Sequence, residues 1–275
     1  YYGLPPHEEA MQVLNWALSQ GEGFIKVTGE VGTGKTLLCR KLLSELGSEA
    51  CPVRLAWLPN PHLTPGELRT ALALELGLTL AGESELDLTD RIHRHLISLH
   101  RQGSRVVVLI DEAQALPDET LEAIRLFGNL ETESSKLLQI VLFGQPELDA
   151  RLGQPRLRQL RQRIGFSYRL RPLRLDETRA YLEYRLQVSG YRGAALFDGR
   201  ALRRLWRASR GIPRLINILA QKCLMLAYGR GVRRIDSALV RLAIRDTDDA
   251  RRGRLTLWWP LLLLLGTALA YGVWS

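Results

Sequence analysis

A chain of 275 residues with 46% hydrophobic and 24% charged side chains can bury one large or two smaller cores, which excludes a disordered or collagen-like polypeptide. Three scattered cysteines, Cys39, Cys51 and Cys223, without C-x-x-C spacing exclude a disulfide framework and fit a reducing cytosol. The net charge of +9 leaves nucleic acid, an anionic membrane surface, or nucleotide and subunit contacts open, since charge alone does not choose among them.

The basic excess is local, with ten arginines against three acids over residues 151–185. His93 and His95 are two apart on a predicted helix and do not share a face, so they do not read as a metal site. Tyr1 is not a start methionine, so the natural start is expected upstream or processed; no signal or transit peptide is visible at this end.

Residues 7–20 are predicted helical, with Met11, Leu14 and Leu18 on one face and Pro5-Pro6 as the entry. Gly21 and Gly23 lead into a strand, Phe24-Ile25-Lys26-Val27-Thr28. The next residues, Gly29-Glu30-Val31-Gly32-Thr33-Gly34-Lys35-Thr36, spell G-x-x-x-x-G-K-T before a helical run opening at Leu37, which is the P-loop arrangement. Glycines let successive backbone N–H groups turn inward towards phosphate oxygens, and the new helix adds its own free N–H groups and dipole. Gly29 to Leu37 is therefore read as a nucleotide cradle, in which Lys35 reaches the β- and γ-phosphates and the Thr36 hydroxyl ligates Mg²⁺.

A second strand is expected at 53–58, closed by Pro59-Asn60-Pro61. Helices follow over about 65–76, with Thr64 as N-cap and Pro65 as first residue, and about 87–101, with Leu88, Ile92, Leu96 and Leu99 at helical spacing. Val106-Val107-Val108-Leu109-Ile110 is apolar on both faces, as a strand in the middle of a helix-covered parallel sheet must be. A helix over 117–131, a strand over 137–143 and a fifth strand over 166–170 complete an α/β domain with a parallel sheet. From Leu173 the pattern is helical only, over about 176–189, 198–209, 213–228 and 236–246, so a small helical second domain is expected after Arg171-Pro172.

Residues 255–274 contain no charge, with tryptophans and a tyrosine near both ends. As a helix they would span about 30 Å, the thickness of a bilayer's hydrocarbon core. Arg251, Arg252 and Arg254 precede them, which by the positive-inside rule keeps the larger N-terminal part in the cytoplasm. A single-pass membrane anchor is expected.

Asp111 and Glu112 follow the central strand at its carboxyl end, where ligands sit in open α/β sheets. Asp111 suits the Mg²⁺ shell and Glu112 suits orientation and deprotonation of an attacking water. Gln145 follows the 137–143 strand through Gly144, placed either to contact the γ-phosphate and that water or to cap the next helix. Arg163, with Arg158 and Arg161 as rivals, suits insertion into a neighbouring subunit's site against the charge growing on the phosphoryl group; an exposed basic helix is the plainer alternative. Arg214, in Gly211-Ile212-Pro213-Arg214-Leu215-Ile216-Asn217, opposes the dipole of the helix it opens, which a role in reaching back to the nucleotide would explain.

Together these motifs resemble the AAA+ ATPases, and G-I-P-R-L-I-N is similar to the sensor-2 motif of that superfamily. The runs F-I-K-V-T-G-E-V-G-T-G-K-T, V-L-I-D-E-A-Q, L-L-Q-I-V-L-F-G-Q-P-E-L and G-I-P-R-L-I-N, followed by one membrane helix, look like the general secretion ATPases of the ExeA/GspA type. Within these, the short chain after that helix is most similar to the MshM-type branch of mannose-sensitive haemagglutinin pilus biogenesis. The resemblance covers residues 2–274. It implies Walker A at Gly29 to Thr36, Walker B at Asp111 and Glu112, sensor 1 at Gln145, sensor 2 at Arg214 and the trans-acting arginine at Arg163. It further implies a P-loop AAA+ domain over 1–171, a helical lid domain over 172–250, and a basic flank and transmembrane helix over 251–275.

The implied activity is ATP hydrolysis with Mg²⁺ by a homo-oligomeric ring, serving assembly of a type IV pilus or type II secretion machine in a Gram-negative inner membrane. Related proteins usually have further residues ahead of the position of Tyr1 that help enclose the adenine, and some carry a periplasmic peptidoglycan-binding domain. Two other readings stay open. One is a nucleic-acid-dependent regulator like the transposon-regulator ATPases, which the membrane helix argues against; the other is a nucleotide-dependent scaffold with little turnover.

Overall fold

The computed structural model describes residues 3–47, 53–59, 62–80, 84–131 and 136–252. They divide into two compact units at the Arg171–Pro172 junction, with the residues up to Pro5 grouped with the second.

The first unit is a five-stranded sheet with helices on both faces. Its elements are α1 (Pro5–Ser19), β1 (Phe24–Thr28), α2 (Lys35–Leu46), β2 (Val53–Leu58), α3 (Pro65–Glu75), α4 (Glu85–Arg101), β3 (Arg105–Ile110), α5 (Asp118–Phe127), β4 (Gln139–Gly144), α6 (Pro146–Leu152), α7 (Arg158–Arg163) and β5 (Phe166–Arg169). The strand order is β2-β3-β4-β1-β5, and every pairing is parallel.

Alternation along the strands separates two cores. Val106, Val108 and Ile110 of β3 and Ile140 and Leu142 of β4 pack with α3, α4 and α5 on one face. Val107, Leu109, Val141 and Phe143 point the other way, against α1 and α2. Hence the continuous apolar runs of β3 and β4, whose residues from Val106 on and throughout β4 are buried, while the edge strands β2 and β5 alternate.

The order places three carboxyl ends side by side. Thr28 of β1 pairs with Gly144 of β4, Ile110 of β3 with Leu142 of β4, and Gly29 N–H donates to the Gly144 carbonyl at 3.1 Å. The segments that follow β1, β3 and β4 therefore meet at one edge although they lie far apart in sequence.

Several boundaries depart from the sequence expectations. The helix α5 ends at Phe127 with Gly128 as C-cap, short of residue 131. Strand β4 runs from Gln139 to Gly144, two residues later at its start than expected, because Leu137 and Leu138 enter the core before the ladder begins. Helix α6 was expected only as the helix Gln145 would cap, without bounds: its seven residues are too few to show a periodic stripe, although Pro146 sits at its first turn. Thr64 caps α3 as expected, in a reciprocal box with Glu67.

The second unit contains α8 (Leu175–Val188), α9 (Gly199–Ser209), α10 (Pro213–Gly229), α11 (Ser237–Arg245) and α12 (Asp248–Arg252). Leu4, Leu182, Leu205, Leu219, Cys223 and Val240 are among its buried core. Gly211 adopts φ +72°, and a Cβ there would lie 2.2 Å from the Leu173 carbonyl oxygen. Leu173 N–H donates to Gly211 O at 2.9 Å and Trp206 Nε1–H donates to Leu173 O at 2.9 Å. Leu173, which precedes α8, is thus clamped against the turn that leads into α10.

Among the described residues no helix is long and apolar enough to cross a membrane; residues 255–274, read as a membrane helix, lie outside them. Cys39 and Cys223 are buried free thiols, which burial pushes up to about 12, far from thiolate chemistry.

Candidate nucleotide site

The P-loop closes on itself before α2 begins. Thr33 Oγ1 donates to the Glu30 carbonyl at 2.8 Å, and Lys35 Nζ donates to the carbonyls of Gly29 at 2.8 Å and Glu30 at 3.2 Å. Gly34, at φ +96°, is the N-cap and offers no side-chain cap. The first helical bond is Leu38 N–H to Gly34 O, so the N–H groups of Lys35, Thr36 and Leu37 have no acceptor within the helix. Backbone donors, a lysine and the positive end of a helix dipole converge, which is the donor set a phosphate requires. Burial lowers the Lys35 pKa, opposed by the charges of Glu112 and Asp111. Thr36 is exposed at the start of α2 and Asp111 is buried at the end of β3, and these two could hold a divalent cation.

His7 of α1 supports the loop from behind. Its Nε2–H donates to the Thr33 carbonyl at 2.8 Å, and its ring lies against Gly34. Burial lowers its pKa from the ordinary 6.5, opposed by the bond to Thr33.

After β3 the chain turns sharply. Glu112 has φ +52°, one of two non-glycine residues in the left-handed region among the described residues, and its N–H donates to Asp111 Oδ1 at 2.9 Å. The Glu112 carboxylate accepts, at Oε2, from Gln114 Nε2 at 2.6 Å and from Gln145 Nε2 at 3.0 Å. Gln114 Oε1 in turn accepts from the Gln145 backbone N–H at 2.9 Å. Burial would raise the Glu112 pKa, but the two amides and the Lys35 charge outweigh it and hold it below the usual carboxylate range.

Helix α6 braces this turn. Arg151 donates to the carbonyls of Gln114 and Leu116, each at 2.6 Å, and pairs with Asp118. On the same helix Asp149 pairs with Lys26 and accepts from Thr28 Oγ1 at 3.0 Å. One short helix therefore holds the ends of both β1 and β3.

Lys35, Asp111, Glu112 and Gln145 are thus gathered at the carboxyl ends of three neighbouring strands. Arg158, Arg161 and Arg163 stand elsewhere, exposed on α7, whose Leu160 faces inward. Arg214 belongs to the second unit, exposed in the first turn of α10 behind Pro213. Sequence reasoning gave no role to His7, Gln114 or Arg151. Gln114 stands inside V-L-I-D-E-A-Q and was the one with a signal; His7 and Arg151 are brought in by tertiary packing alone.

Residues 18–152 match the family described as AAA domain. The chain is 44% identical over 246 residues to general secretion pathway protein A of Aeromonas hydrophila, covering 89% of this chain and 44% of that protein. It therefore spans less than half the length of that relative. Among solved structures, Cdc6p from Pyrobaculum aerophilum is similar with a TM-score of 0.66 at 19% identity, over 90% of this chain and 68% of that one. The Aeropyrum pernix ORC2 protein in ADPNP-ADP complexes gives 0.58 at 17% identity, over 88% and 67%. The Thermotoga maritima RuvB Holliday junction branch migration motor gives 0.57 at 17% identity, over 90% and 71%. At these identities the likeness concerns the fold. An AAA domain is thus matched at residues 18–152, and the chain resembles general secretion pathway protein A over 246 residues.

Proposed function

We propose that this chain is an ATP hydrolase whose cycle serves assembly of a type IV (MSHA-like) pilus or a type II secretion complex. The observation that carries the enzymatic part is the convergence of Lys35, Asp111, Glu112 and Gln145 at the ends of β1, β3 and β4. Gly29 to Leu37 hold the phosphates, Lys35 neutralises the β- and γ-phosphates, and Thr36 with Asp111 hold Mg²⁺. Mg²⁺–ATP, when bound, would supply the phosphoanhydride bond to be broken and a metal charge to offset that of the phosphates. Glu112 accepts the proton of the attacking water and Gln145 orients that water; Arg214 takes the sensor-2 role on the strength of its motif, G-I-P-R-L-I-N. Arg163 acts on the site of the next subunit in a ring; Arg158 and Arg161 are its rivals.

The pathway rests on the homology to general secretion pathway protein A. The inner-membrane location, with the ATPase part in the cytoplasm, rests on the uncharged stretch 255–274 and the arginines before it. The decisive experiment pairs two variants. Lys35→Ala abolishes nucleotide binding by calorimetry, whereas Glu112→Gln binds ATP normally and loses about 10²- to 10⁴-fold in turnover. Normal hydrolysis by Glu112→Gln would overturn the assignment.

One observation favours a nucleic-acid-dependent regulator instead. Residues 172–250 carry sixteen basic residues against eight acidic ones, and Arg200, Arg203 and Arg207 are exposed along α9. Mobility shifts across a salt series decide it, since phosphate contacts give a steep salt dependence.

A further inference from the structure

Gln114 touches both groups proposed above to handle the attacking water, and its two amide atoms do different work. Oε1 faces the Gln145 backbone N–H at 2.9 Å, which can only donate, so the amide orientation is fixed. Nε2 must then be the atom 2.6 Å from Glu112 Oε2. Gln145 Nε2 donates to that same oxygen at 3.0 Å. Among the described residues, all side-chain hydrogen bonds to this carboxylate fall on Oε2, leaving Oε1 for another donor. The turn bearing Gln114 is itself fixed, because Arg151 holds the carbonyls on either side of Ala115. Gly144 leaves room for the amide: a Cβ there would sit 3.4 Å from Gln114 Oε1 and 2.7 Å from Leu148.

We propose that Gln114 is a positioning residue that binds Glu112 and Gln145 into one rigid pair and makes Glu112 Oε1 the oxygen that receives the proton. The proposal rests on the hydrolase reading above. Two charge-assisted donors on one carboxylate oxygen restrict rotation of the group and leave the other oxygen aimed by default. The backbone bond to Gln145 adds register: the segment that reads the terminal phosphate cannot shift without pulling on the base.

The test uses Gln114→Met, which keeps shape and loses both bonds, and Gln114→Glu, which can still accept from Gln145 N–H but sets a carboxylate against Glu112. Gln114→Met is expected to lower kcat about tenfold while the dissociation constant for ATP changes less than twofold. A crystal structure of Gln114→Met without nucleotide reads the carboxylate independently of activity: Glu112 is expected to leave the rotamer that sets Oε2 on Gln145 Nε2. If the hydrolase reading fails, the wild-type chain shows no turnover yet the carboxylate still moves. An unmoved carboxylate, or affinity falling in parallel with kcat, overturns the role of Gln114. Should Gln114→Met fail to fold by circular dichroism, Gln114→Glu decides alone.

Discussion

The His7 imidazole lies so close to Gly34 that a Cβ on Gly34 would sit 2.6 Å from its Cε1. Position 34 is thus constrained twice, by φ +96° and by a buried ring. Gly34→Ala is expected to cost about 2–4 kcal/mol and to abolish nucleotide binding, measured by denaturant titration and calorimetry. Stability loss with intact binding would show that the loop tolerates displacement of His7.

The same ring makes stability depend on pH. Its folded pKa is lowered from 6.5, so below that value the unfolded chain takes up the proton first. The His7 contribution is full above about pH 6.5 and is lost as pH falls through the folded pKa. His7→Gln is expected to be less stable than wild type by about 1 kcal/mol at pH 8, with the gap closing towards pH 5 in thermal melts.

Arg151 makes three contacts to the turn after β3 from a partly buried position. Arg151→Met removes them and leaves Asp118 with Arg156, 2.6 Å away. About 2–3 kcal/mol of stability should go, and turnover should fall more than ATP affinity, because Glu112 and not the P-loop is loosened. Equal losses in both would place its effect elsewhere.

Arg163 is exposed on α7, as a residue serving another subunit would be. Arg163→Ala and Lys35→Ala are each expected to be inactive alone and to regain activity when mixed, since a mixed interface pairs an intact P-loop with an intact arginine. Failure of mixing, with Arg158→Ala or Arg161→Ala complementing instead, reassigns the role.

Much of this was legible in the chain, for identifiable reasons. The P-loop was readable because its spacing and its strand–turn–helix context are local, and β3 because a run buried on both faces shows in composition alone. Helices α6 and α7, at seven and six residues, are too short for their apolar residues to declare a period. Gln114 stood in view beside Asp111 and Glu112, but its contacts depend on the left-handed turn at Glu112, which an ordinary glutamate does not announce. His7 has no motif; only the packing of α1 beneath the sheet delivers it to Thr33.

The strand order carries a consequence for synthesis. β4 is the last made of the three strands whose ends form the site, yet it lies between the other two. Until residues 139–144 leave the ribosome, β1 and β3 have no common neighbour, and Lys35 and Glu112 have nothing to align them. A nascent chain therefore holds the P-loop and the acid pair before it holds the strand that sets them side by side. That strand, when it arrives, brings Gln145 with it.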